Sequence, residues 1–104
     1  MDHLSARVNI YISGRKLRDT DFFSKSDPIC IVAEMREGKW SEVGRTEQIL
    51  NNLNPNFETV ISMQYFFERE QNLKFTMLDG DGHGDSDPIG EVTTKMGHLI
   101  GAPA

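Results

Sequence analysis

The chain has 104 residues, 38% of them hydrophobic and 26% charged, with a formal net charge of −5 at pH 7. That length suits one domain of about 100–150 residues around one core, and the composition is that of an ordinary globular protein, so neither a second domain nor a fibrous chain is expected. The acidic balance excludes a nucleic-acid domain, whose footprint is a basic patch, and the longest unbroken apolar run, residues 29–33, is far short of the roughly 20 residues of a membrane helix, so any membrane contact is peripheral.

The chain opens with an acid at Asp2 and lacks the apolar stretch of a secretory signal, so export is not expected. Residues 7–13 alternate, with Val8, Ile10 and Ile12 on one face and Arg7, Asn9 and Tyr11 on the other, the pattern of a half-buried strand. A β-branched run at 29–35 predicts a second strand and residues 40–46 a third, joined at Glu37-Gly38. Cys30, the single cysteine, lies inside the second, where it reads as a small buried apolar residue; with no partner for a disulfide it fits a reducing compartment. Phe57, Thr59, Ile61 and Met63 share a face of a fourth strand, and Leu73, Phe75 and Met77 share one of a fifth. Residues 89–94 give a weaker sixth, and 95–100 a helical turn weakened by Gly97. Loops rich in Asp, Asn, Gly and Pro separate these segments, which predicts an all-β, antiparallel β-sandwich.

Four aspartates, Asp79, Asp81, Asp85 and Asp87, fall within nine residues. Crowded carboxylates repel one another, so a fold that gathers them commonly does so for a metal ion; the bland alternative is a solvated acidic hairpin tip. An EF-hand fits positions 1, 3, 6, 7 and 9 at Asp79, Asp81, Gly84, Asp85 and Asp87. It fails where the bidentate glutamate belongs, at Gly90, and the residues before the loop read as a strand where an EF-hand needs a helix. A second acidic pair, Asp21 and Asp27, stands six residues apart before Pro28. If the two loops open at the same end of a sandwich, five aspartates converge on one pocket with the hard oxygen donors that calcium favours.

The segments LRDTDFFSKSDPICIV, GRTEQILNNLNPNFE and LKFTMLDGDGHGDSDPIGE resemble the C2 domain. In that family the first loop carries two aspartates six residues apart before a proline, and the third carries D-x-D with a further aspartate six residues on. The details SKSDP, Trp40 with Glu42-Val43, LNPNF and YFFE before LKF are similar to the first C2 domain of copines. The resemblance covers about residues 7–100 and implies a Greek-key sandwich of copine-like type II topology. It also implies two calcium ions ligated by Asp21, Asp27, Asp79, Asp81 and Asp87, with Asp21, Asp79 and Asp81 bridging and Asp85 a supplementary or water-mediated acid. The two ions would largely cancel the site's charge and hold an anionic phospholipid membrane, with Phe22, Phe23 and His83 as the membrane contacts.

The expected function is therefore calcium-dependent phospholipid binding by a cytoplasmic domain recruited to membranes. The rival is a calcium-independent protein-interaction C2 domain. An enzyme is not expected, because no nucleophile or oxyanion-hole motif accompanies the carboxylates. Arg36, Lys39 and Arg45 alternate with Glu34, Glu37, Glu42 and Glu47, which argues against a polybasic lipid patch, and the asparagines at 51, 52, 54 and 56 read as turn formers. Six predicted strands fall two short of the eight in a C2 sandwich. The resemblance thus implies a fragment of a longer copine-like protein, or a strand-exchanged homodimer.

Overall fold

A computed structural model describes residues 4–18, 26–80 and 86–101. Six strands follow in order: β1 (Ser5–Ile10), β2 (Pro28–Arg36), β3 (Lys39–Arg45), β4 (Ile61–Phe66), β5 (Asn72–Asp79) and β6 (Asp87–Lys95), then a single helical turn, α1 (Met96–Leu99). All pairings are antiparallel, in a four-stranded sheet of order β3-β2-β5-β6 and a two-stranded sheet β1-β4. The expected all-β antiparallel sandwich is the observed architecture.

Alternation along the strands builds the core. Cys30 and Val32 of β2 and Leu73 of β5 meet Ile61 and Met63 of β4, while Val8 and Ile10 of β1 pack against the cluster. Val32, Leu73 and Met96 are fully enclosed, and removing a side chain of this size from water is worth about 1.5–3 kcal/mol. The sheets approach closely at Gly44, where a Cβ would lie 2.9 Å from Ile61 Cδ1. The β2–β3 hairpin turns through Glu37 and Gly38, with φ of 51° and 78°, the left-handed pair that a two-residue turn between twisted strands requires. Cys30 is 1% exposed, and burial pushes its thiol up to about 11, which makes it inert.

Two strands depart from the sequence-based expectation by more than two residues at a boundary. β1 ends at Ile10, and Ser13 makes only an isolated bridge to Asn56. β4 begins at Ile61 rather than near Phe57, because Glu47 captures the backbone there: its carboxylate accepts from the amides of Glu58 (2.7 Å) and Thr59 (3.2 Å). Phe57 is still buried in the core. Gly97 does not prevent the turn at Met96–Leu99, because Met96 is fully buried and its amide donates to the Gln71 carbonyl at 2.8 Å.

Among the described residues, the second edges of β1 and β6 carry no partner strand. Between them lies a cleft of about 520 Å³ whose apolar lining includes Ile10, Ile12, Phe75, Met77 and Val92.

Candidate functional site

Strand register brings three of the five predicted ligands to one end of the four-stranded sheet. Pro28 pairs with Asp79, which places Asp27 at the root of β2 beside the last residue of β5. Asp79 in turn pairs with Asp87, the first residue of β6. Asp79 is only 6% exposed, Asp27 is half-buried and Asp87 is exposed. The remaining predicted residues, Asp21, Asp81, Asp85, Phe22, Phe23 and His83, lie outside the described residues. Among the described residues, no group of three or more acidic, histidine or cysteine side chains is placed to hold a metal ion. Asp27, Asp79 and Asp87 thus share one end of the sheet, but a closed ligand set needs carboxylates beyond these three.

The backbone around these acids is bound tightly. The Asp27 amide donates to Asp79 Oδ1 at 2.8 Å, and Asp27 Oδ1 accepts from the Asn51 amide at 2.7 Å. Amide donors fix the orientation of a carboxylate. The middle segment runs beside the root of β2, with the amides of Thr46, Ile49 and Asn52 donating to the carbonyls of Cys30, Pro28 and Ser26 at 2.9–3.0 Å. Burial works against the charge on Glu47, but the hydrogen bonds from Glu58 and Thr59 outweigh it and take its carboxyl down to about 2. That carboxylate ties the middle segment to the stretch before β4.

The ends of the loops are also joined. Gly80 Cα carries no side chain for a reason: a Cβ there would lie 2.7 Å from Ser86 Oγ and 3.0 Å from Ser86 Cα, and the residue has φ of 132°. Arg18 Nη2 donates to the Pro88 carbonyl at 2.7 Å, while the buried Ser26 hydroxyl donates to the Arg18 carbonyl at 3.2 Å. Gln48 Nε2 donates to the Gly80 carbonyl at 2.7 Å. Sequence reasoning missed Arg18, Ser26 and Gln48, since a side chain bonding a distant carbonyl leaves no pattern in residue type. Asn51 had a signal, for its φ of 52° is a conformation that asparagine tolerates.

Of the asparagines expected to form turns, Asn52 does so locally, while the Asn54 and Asn56 side chains instead reach the distant segment at Arg15 and Lys16. Asn52 Oδ1 accepts from the Asn54 amide and Asn54 Oδ1 from the Lys16 amide, both at 2.8 Å. On the strand face, Arg36 pairs with Glu34 at 3.0 Å and Arg45 with Glu42 at 2.7 Å, so these two arginines are matched by acids.

The model of the C2 domain family matches residues 6–103. Copine-E of Dictyostelium discoideum is 41% identical over 104 residues, an alignment that covers 93% of this chain and 18% of that protein. The chain therefore spans under a fifth of that relative's length. Human GIVD cytosolic phospholipase A2 matches with a TM-score of 0.75 at 16% identity, over 92% of this chain and 13% of that one. A C2 domain of plant extended synaptotagmin 1 matches with a TM-score of 0.66 at 19% identity, over 89% of this chain and 69% of that one. At such identities the two structures establish a shared fold.

Proposed function

Because the chain belongs to the C2 domain family, we propose that it is a calcium-dependent phospholipid-binding module that docks peripherally on anionic membranes through the aspartate-bearing end of its sandwich. The observation that carries this reading is the register that sets Asp27, Asp79 and Asp87 side by side at the ends of β2, β5 and β6. A fold gains nothing in stability by gathering carboxylates at one end, and hard oxygen donors suit calcium.

Asp27, Asp79 and Asp87, with Asp21 and Asp81, hold two calcium ions, and Asp85 adds a further acid. The Asn51 amide donates to Asp27 Oδ1 and so fixes the carboxylate that would offer an oxygen to a cation. Bound calcium supplies positive charge and open coordination positions for lipid phosphate. Phe22, Phe23 and His83 reach the headgroup boundary. No helix of the described residues is long and apolar enough to cross a membrane, and the proposed setting is a cytoplasmic one with recruitment driven by calcium.

Calcium titrated against vesicles of anionic and of neutral lipid tests the reading. Binding is expected only with calcium and anionic lipid together, and Phe22→Ala with Phe23→Ala weakens vesicle binding more than calcium binding. Equal binding to neutral vesicles in a chelator contradicts it and favours a protein-interaction role.

We propose also that the cleft between β1 and β6 is closed by a β-strand from outside the described residues, either from a longer chain or from a second copy by strand exchange. The open backbone edge and the apolar lining support this. Light scattering on size-exclusion fractions shows a dimer if a second copy serves. A cooperative monomer no less stable than a chain extended by about 30 residues, the length of two strands with their turns, counts against both sources.

A further inference from the structure

We infer that Gln48 is a positioning residue for the calcium site, which clamps the root of the third loop onto the root of the first; the inference rests on the calcium reading above. Among the described residues, its amide is the side-chain donor that the middle segment sends to these two roots: Nε2 donates to the Gly80 carbonyl at 2.7 Å and lies 3.4 Å from the Asp27 carbonyl. The Gly80 amide donates to the same Asp27 carbonyl at 3.2 Å. Gly80 is therefore held through both of its peptide groups, by the Asp27 carbonyl at its N–H and by Gln48 at its C=O.

The need for such a clamp follows from the chemistry of Gly80. Ser86 stands where a Cβ would be, so position 80 admits only glycine. Glycine is the residue with the most backbone freedom, and here it separates Asp79 from Asp81, two acids proposed to share ions. Left to itself, a glycine at this point lets the chain leave the end of β5 in many directions. Gln48 removes this freedom before the metal arrives, and restraint of that kind raises affinity by lowering the ordering cost of binding. Gln48 is itself exposed and belongs to no core contact. Its middle segment is anchored independently, by the Ile49 and Asn52 amides on β2's root and by Glu47 on residues 58 and 59, so the amide is presented from a fixed base.

The test uses Gln48→Met, which keeps length and loses the donor. Calcium alone is titrated into parent and variant, dissociation is followed by rapid mixing with a chelator, and calcium-free melting and exchange of the Gly80 amide proton are measured in parallel. The variant is expected to bind calcium about three- to tenfold more weakly, the worth of one hydrogen bond, chiefly through faster dissociation. The Gly80 proton should exchange faster, with the calcium-free melting point nearly unchanged. Unchanged affinity, unchanged Gly80 exchange, or a loss of affinity matched by an equal loss of calcium-free stability overturns the inference. A parent that binds no calcium overturns the underlying reading instead, and the positioning role with it.

Discussion

Two polar side chains, Gln71 and Asp79, are each 6% exposed and stand at opposite ends of β5, yet the fold treats them in opposite ways. Gln71 is neutral and saturated. Its Oε1 accepts from the Phe66 amide at 2.8 Å, its Nε2 donates to Gln64 O at 3.0 Å and Glu34 Oε2 at 3.1 Å, and its carbonyl takes the Met96 amide. That end is sealed further by Met96, which is fully buried. Asp79 is a buried carboxylate with a second acid, Asp27, bonded to it through the backbone and a third, Asp87, in register beside it. Burial of a charge is costly unless something compensates, and the Asp27 amide answers part of that cost at Asp79, so the contrast is between an end closed by a neutral amide and the end that carries the proposed calcium ligands.

Disrupting the sealed end should give the larger loss of stability. Gln71→Leu leaves the Phe66 amide and the Gln64 carbonyl without their partner, and a buried group so orphaned costs about 1–3 kcal/mol. Denaturant unfolding should register that loss, while calcium affinity, read at the other end, stays where it was. A fall in calcium affinity comparable to the fall in stability means the two ends are not separable.

A smaller effect sharpens the comparison through pH. Glu47 has a folded-state pKa of about 2, below its ordinary 4.5. The stability it contributes is present above pH 4.5 and is lost as pH falls from there towards 2. Denaturation midpoints between pH 6 and pH 2.5 should therefore decline more steeply in the parent than in Glu47→Gln, which has no proton to gain. Parallel declines contradict the role of Glu47 as the anchor of the middle segment.

The comparison also shows what a sequence discloses. Features set by residue type at fixed local spacing were legible: the alternation of Val8, Ile10 and Ile12, the Glu37-Gly38 turn, and the span from Asp79 to Asp87 that places both in register across a hairpin. The start of β4 was not, because the amides of Glu58 and Thr59 are diverted by Glu47, a residue 11 and 12 positions away. The clamps at Arg18 and Gln48 were not either, since they reach carbonyls 70 and 32 positions distant that every residue type possesses. Of the site itself, the acids were visible in sequence and the scaffold that aims them was not.

The most direct test of the account is thermal melting of the parent and of the Asp79→Asn, Asp81→Asn double variant, each with a chelator and with millimolar calcium. Asparagine keeps an oxygen to accept from the Asp27 amide but removes the charge, so the variant should fold, and without calcium it should melt no lower than the parent because repulsion is relieved. Calcium should raise the parent's melting point by about ten degrees or more, since a ligand at about 100 times its Kd stabilises the folded state by about 2.7 kcal/mol and a domain of this size gains about 4–8 °C per kcal/mol. The variant should show no shift. A parent whose melting curve does not move in millimolar calcium contradicts the claim that this end of the sandwich is a calcium site.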